Sequence, residues 1–166
     1  MNAGAYGGEI KDIIVSADVL DRSGRLISLS RDELELGYRT SCIAANDYIV
    51  VSAVFRLQKG DTDTIKALIK ELAVKRRAKQ PLEYPSAGST FKRPQGFFAA
   101  KLIEDAGLKG VSVGGAMVSE KHSGFVVNAG NATAKDVCML TDMVKDKVKQ
   151  QSGVDLELEV IKTRRF

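Results

Sequence analysis

The hydrophobic pattern of the chain changes near residue 60. Before that point apolar residues come in short β-type runs; after it they recur at helical spacing. "DIIVSADVL" (12–20) and "RLISLS" (25–30) flank "DRSG", which predicts a hairpin. "RDELELGYRTS" (31–41) reads as a turn or short helix entering a polar loop. "YIVVSAVFRL" (48–57) is rich in β-branched and aromatic residues and predicts a buried strand. "KGDT" (59–62) marks the boundary. Ile65, Leu68, Ile69 and Leu72 then follow a helical period, with Asp61, Thr62 and Asp63 as caps and negative charge at its start. "KRRAKQP" ends this helix with cations and Pro81. A second helix is expected after Pro94, with Ala99, Leu102, Ile103 and Ala106 as its stripe and Gly107 as its C-cap. "VSVGGAMVS" (111–119) and "GFVVN" (124–128) read as two strands around "EKHS". Thr133 and Asp136 form a capping-box signature for a third helix lined by Val137, Leu140, Val144 and Val148. "DLELEVIKT" (155–163) alternates apolar and acidic residues and predicts a last strand. The order from residue 62 is α, turn, α, β, β, α, β. That is an α+β layer, with helices on one face of a small antiparallel sheet.

Composition narrows the class. The 166 residues are 44% hydrophobic and 28% charged, enough for a real core in one ordinary domain, or in one small domain plus part of another. No apolar run nears the roughly 18 residues that span a bilayer, and no secretion-signal pattern is present. No membrane contact is therefore expected. Cys42 and Cys138 lack metal-ligand spacing and read as free thiols of a reducing compartment. His122 is the only histidine, which excludes a multi-histidine metal site. The net charge of +4 favours anionic partners, phosphorylated metabolites as well as nucleic acid. A nucleic-acid-binding sheet needs clustered aromatics for stacking. Only 6% of residues are aromatic and none is tryptophan, which argues against it.

Two stretches carry candidate chemistry. "MNAGAYGGEI" sets Gly4, Gly7 and Gly8 around Tyr6. Glycines there allow positive φ and close backbone approach to a ligand, although a flexible terminus has the same composition. Its spacing is not a dinucleotide fingerprint. "YPSAGSTFKRPQG" (84–96) also supports two readings. One is a plain helix-to-helix connection with Pro94 opening the next helix. The other is a reactive hydroxyl, Ser89, held on a rigid turn with cations nearby for an anionic ligand.

"NAGAYGGE", "GYRTS", "KQPLEYPSAGSTFKRP", "LIEDAGLKG", "GGAMVSEKHSGFVVN" and "LELEV" occur in this order. Together they resemble the flavin-dependent UDP-N-acetylenolpyruvoylglucosamine reductases, in the shorter form that lacks an extra loop in the substrate domain. The resemblance implies a cytoplasmic step of peptidoglycan precursor synthesis. NADPH reduces bound FAD, and the enolpyruvyl ether of UDP-N-acetylglucosamine is reduced to UDP-N-acetylmuramate. It implies that Arg39, in "GYR", stabilises the enolate-like intermediate, that Ser89, in "GSTFK", donates the proton, and that Glu159, in "LELEV", orients and stabilises. Glu157, two residues earlier, is the rival to Glu159, and either is by itself an ordinary solvent-facing residue. The three site residues are expected around one pocket. Gly4, Ala5, Tyr6, Gly7 and Glu9 are the implied FAD contacts. Tyr38, Lys79, Lys92, Arg93 and His122 are the implied substrate contacts: Lys79 for the phosphates, Lys92 to ease alkoxide formation at Ser89. A loop histidine such as His122 is as readily a solvated side chain.

Two departures from the family pattern stand out. After Glu159 the chain reads "VIKTRRF", where the family has a hydrophobic run ending in glycine. A whole FAD-domain lobe also precedes "MNAGAYGGE" in the family. The expected organisation is therefore the C-terminal part of an FAD-binding domain over 1–57 and a substrate-binding domain over 62–166. Surface exposed by the missing lobe would invite self-association into a homo-oligomer. The alternative to a reductase is a non-catalytic UDP-sugar-binding module without competent flavin binding.

Overall fold

The computed structural model describes residues 1–163, so the end of the divergent tail, 164–166, lies outside the described residues. The chain divides into two compact units, Met1–Thr62 and Asp63 onward.

The first unit opens with a hairpin of β1 (Gly4–Ala5) and β2 (Gly8–Glu9), which pairs Ala5 with Gly8. Its two turn residues, Tyr6 and Gly7, have φ of 51° and 86°. Positive φ at both positions is the turn geometry that matches strand twist, and only Gly7 adopts it without cost. A three-residue helical turn, Ile10–Asp12, follows, held by a bond from Glu9 N to Asp12 Oδ2 at 2.7 Å. β3 (Ile14–Leu20) is the centre of an antiparallel sheet between β4 (Leu26–Ser30) and β5 (Ile49–Phe55). In the predicted hairpin, the Asp21 carboxylate accepts from the backbone N–H groups of Ser23 and Arg25, which fixes "DRSG". Ile14, Ala17, Leu34 and Cys42 form the core, beneath the short helix α1 (Cys42–Ala45). β5 is a strand as its composition predicts, but it is not buried: all seven of its residues are exposed. The 31–45 segment packs over β3 and its β4 side through Leu34 and Cys42, which leaves β5 as an uncovered edge.

The second unit is the predicted α+β layer. Its sheet runs β6 (Ser86–Ser89), β9 (Phe125–Asn128), β8 (Ala116–Val118), β7 (Ser112–Val113), antiparallel throughout. α3 (Ala99–Asp105) and α4 (Ala134–Ser152) enclose the core, where Ile103, Val118, Leu140, Val144, Val148 and Leu156 are all but inaccessible. The predicted capping box is present: Asp136 N donates to Thr133 Oγ1 at 3.1 Å, and Thr133 N donates to Asp136 Oδ2 at 2.9 Å. Gly153 ends α4 at φ 73°. Gly115 lies so close to Gly130 O that a Cβ there would collide with backbone.

Four expectations need correction. The 111–119 run is not one strand but the hairpin β7–β8, because Gly114 and Gly115 turn the chain. The helix after Pro94 starts only at Ala99; a turn closed by Phe97 N to Pro94 O intervenes. α2 (Thr62–Lys79) has the predicted span, but Ile65, Leu68 and Ile69 are exposed rather than buried. Residues 155–163 do not form a regular strand; they contact residues 90–92 through a single bridge, Phe91 to Leu158, which is too short a ladder for a strand.

Candidate functional site

Ser89 does not sit on a turn. It ends β6, the edge strand, opposite Phe125. Between Ser86 and Ser89 the pairing with β9 slips, with Gly88 at φ 86° inside the slip. A bulge of this kind re-aims the side chain that follows it, and a non-glycine residue would be strained at that φ.

The next residue is the hub. Thr90 is buried. Its N–H donates to Gly124 O and its Oγ1 accepts from Val126 N, both at 2.9 Å. Its carbonyl accepts from Glu159 N, also at 2.9 Å. Lys92 N donates to Glu157 O at 2.8 Å, so the "STFK" segment is gripped by β9 on one side and by residues 157–159 on the other. This brings the Glu159 backbone to within one residue of Ser89. Leu156 and Leu158 pack in or against the core, while Glu157 projects outward and pairs with Lys92 at 3.1 Å, its side chain 73% exposed. Glu159 is half-buried. Lys92 is thus directed toward Glu157.

The remaining predicted contacts are spread around this edge. The Arg93 guanidinium stacks 4.0 Å above the Phe98 ring, and its Nε donates to Phe97 O. His122 Nδ1 accepts from Gly124 N at 3.1 Å, which leaves Nε2 to carry the proton of the neutral ring. The ring meets Phe125 edge-on at 5.0 Å, and burial pulls the His122 pKa below its ordinary value. A concavity of about 480 Å³ contains Ser89, with Ser86, Gly88 and Phe125 from the sheet, Arg76 from the last turn of α2 and Gln80 just past its end. Lys79 does not line it. Sequence reasoning missed Thr90 and Arg76. Nothing along the chain flags Thr90, but Arg76 and Gln80 are spaced i, i+4 just before Pro81, which marks one helix face at the helix end.

Arg39 belongs to the first unit. Gly37 and Thr40 bond each other reciprocally at 3.3 Å, so Tyr38 and Arg39 form the tip of a tight hairpin. Arg39 has φ 55°, and its guanidinium lies 5.4 Å from the Tyr38 ring centre. These two residues share a concavity of about 450 Å³ with Gly4, Ala5, Gly7 and Glu9, whereas the exposed Tyr6 does not line it. The Glu9 carboxylate is held by Lys11 at 2.7 Å and by Asn2 Nδ2 at 2.9 Å, and the bonds from Lys11 and then Asn2 lower its pKa. Among the described residues no three His, Cys, Asp or Glu side chains cluster as metal ligands. No helix among them is long and apolar enough to cross a membrane.

The second unit is therefore an α+β domain that presents a hydroxyl, with a carboxylate-bearing segment tied to its neighbour, at one edge of its sheet. Residues 80–162 match the family model described as UDP-N-acetylenolpyruvoylglucosamine reductase, C-terminal domain. The UDP-N-acetylenolpyruvoylglucosamine reductase of Clostridium tetani is 60% identical over 161 residues, which cover 97% of this chain and 52% of that protein. The reductase of Lachnoclostridium phytofermentans is 63% identical over 160 residues, 96% of this chain and 52% of that protein. The crystal structure of the Thermus caldophilus reductase superposes with a TM-score of 0.80 at 35% identity, covering 96% of this chain and 56% of that one. This chain belongs to the UDP-N-acetylenolpyruvoylglucosamine reductase family. It spans about half the length of the curated relatives it matches.

Proposed function

We propose that this chain carries the proton-donating and substrate-binding part of an NADPH- and FAD-dependent reduction. The enolpyruvyl ether of UDP-N-acetylglucosamine becomes UDP-N-acetylmuramate, a cytoplasmic step of peptidoglycan precursor synthesis. The observation that carries this reading is the fixed position of Ser89 on a bulged edge strand, one residue from the Thr90–Glu159 bond.

The residues of the first unit fit part of a flavin site. A Cβ added at Gly7 would meet nothing within 4 Å, so the backbone at Gly7 is open to a ligand. Gly4, Ala5, Gly7 and Glu9 line a concavity with Arg39 and Tyr38 at its rim. These residues would hold the cofactor, which when bound and reduced supplies the hydride.

Hydride addition to the terminal vinyl carbon breaks the C=C π bond and leaves its electron pair on the ether-bearing carbon, conjugated with the carboxylate. Arg39 offers that carboxylate a planar two-point fork, which stabilises the developing second charge. Ser89 then gives its hydroxyl proton to the ether-bearing carbon, forming the new C–H bond, and recovers a proton from solvent. The hydroxyl stays protonated at neutral pH, so it is always ready to donate. Glu159 steadies the intermediate from the segment bonded to Thr90.

The test is Ser89→Ala at the matching position of an active family member, followed by stopped-flow absorbance. Flavin reduction by NADPH should stay near wild type. Reoxidation by the enolpyruvyl substrate should slow by about 10²- to 10⁴-fold, the size of a lost general acid. Unchanged reoxidation would overturn the assignment.

A further inference from the structure

Ser89 and Thr90 are adjacent, yet they border different hollows. Ser89 lines the concavity shared with Gly88 and Phe125. Thr90 lines a second, apolar hollow with Val126, Thr141 and Leu158. Thr90 therefore does not border the space that holds the reacting atoms. It is only 2% exposed, and valine would fill the same shape without a polar atom to bury.

The buried hydroxyl has a specific task. Along β6 the pairing with β9 changes register: Ser86 faces Val127, whereas Ser89 faces Phe125. Continued without the slip, the first register would set Ser89 opposite Gly124. A one-residue shift of that kind turns a side chain to the other face of the sheet. Thr90 secures the second register. Its N–H donates to Gly124 O and its Oγ1 accepts from Val126 N, one bond on each side of Phe125. The first bond is backbone to backbone, and any residue except proline can make it. The second needs a side-chain oxygen on a short stem, which threonine and serine supply and valine and alanine do not.

We infer that the Thr90 hydroxyl is a positioning group for the reduction, locking the strand register that aims Ser89 into its concavity. The inference rests on the reductase reading of Ser89. A proton donor has to meet the receiving carbon within hydrogen-bond reach, and a displacement of about 1 Å at the reacting groups costs on the order of 10²-fold in rate. Without the Val126 bond, the strand beyond Gly88 keeps only the Gly124 bond to hold Ser89 against Phe125.

The experiment is stopped-flow kinetics on an active family member with threonine at the matching position, on variants that circular dichroism shows to be folded. In Thr90→Val, flavin reduction by NADPH should stay near wild type. Reoxidation at saturating enolpyruvyl substrate should slow by about 10- to 100-fold, with the half-saturating concentration within about threefold. Thr90→Ser should restore the rate to within about threefold. A wild-type reoxidation rate in Thr90→Val, even with a lowered urea midpoint, overturns the inference, because the hydroxyl then serves the fold alone. Should Thr90→Val not fold, Thr90→Ala against Thr90→Ser isolates the same oxygen, and equal rates overturn it. In a Ser89→Ala background, Thr90→Val should slow reoxidation by no more than about threefold further. A full additional slowing there overturns this inference and leaves the reading of Ser89 standing. Unchanged reoxidation in Ser89→Ala alone overturns both.

Discussion

The amide nitrogen of Glu159 donates to the carbonyl oxygen of Thr90 at 2.9 Å. Some 70 residues separate these positions in sequence, yet one backbone bond sets the height of the 157–159 segment against the strand that bears Ser89. A slip by two residues would put Glu157 in the place of Glu159, and the Phe91–Leu158 bridge with Leu158 packed against the core opposes that slip.

The two glutamates should therefore behave differently. Introduced at the matching positions of an active reductase, Glu159→Gln should slow substrate-driven flavin reoxidation by more than about tenfold, while Glu157→Gln should stay within about twofold. The Lys92–Glu157 pair is exposed, so its loss should cost at most about 1 kcal/mol of stability. Equal rate effects in the two variants would argue against the register seen here.

Arg39 separates backbone strain from chemistry. A non-glycine residue at φ 55° costs roughly 1–2 kcal/mol, and glycine in an unfolded chain costs about half that in entropy, so Arg39→Gly should leave the unfolding midpoint nearly unchanged or slightly raised. Reoxidation should nevertheless collapse. Arg39→Lys should also be poorly tolerated, because an ammonium cannot reproduce the two-point fork. Wild-type reoxidation rates in either variant would remove Arg39 from the mechanism.

His122 gives a pH signature. Burial lowers its folded-state pKa, so the unfolded chain takes up the proton first as the solution is acidified. Its contribution to stability is complete above the unfolded value of about 6.5. It declines as pH falls through that value and levels off below the folded-state pKa. Urea midpoints measured from about pH 7.5 down to about pH 5 should fall more steeply for wild type than for His122→Gln. Parallel curves would show that the ring titrates as if solvated.

Gly115 tests the packing of the β7–β8 hairpin. Its added Cβ would strike the Gly130 carbonyl, which is backbone and cannot rotate away. Gly115→Ala should cost more than about 3 kcal/mol, read as a large drop in denaturant midpoint. Gly153→Ala meets no neighbour and carries only its positive-φ penalty, so it should cost about 1–2 kcal/mol. Similar midpoints for the two variants would show that the 130–132 turn yields.

Local signals were legible in the sequence where local physics decides the outcome. Thr133 and Asp136 cap α4 as their spacing predicts, and Leu140, Val144 and Val148 form its inner face, because both features depend on residues within a few turns. Coverage was not legible. The β-branched run in β5 reports a strand but not whether anything lies over it, and the stripe of α2 reports a helix but not a partner. Alternation in 155–163 suggested a strand, but a strand needs a ladder, and Thr90 to Lys92 offer only a few bonds. For the site, the order of motifs pointed to Arg39, Ser89 and Glu159, while the link between the last two runs through Thr90 backbone bonds that no side-chain pattern encodes. Arg76 and Lys79 lie in the same turn of α2, and only the three-dimensional path of the chain decides which of them lines the concavity of Ser89.

The uncovered edge at β5 has a consequence for the chain in solution. Ile49–Phe55 is seven residues without charge or proline, exposed throughout. Such a segment can template growth of intermolecular sheet. Its nearest charged neighbours, Asp47 and Arg56, are the only gatekeepers at its two ends, and Asp47 is already engaged with Arg22. Concentrated preparations of this chain should therefore develop thioflavin-binding aggregates with a lag that shortens as concentration rises. A single lysine at Val51, in mid-strand, should lengthen that lag more than any change in salt.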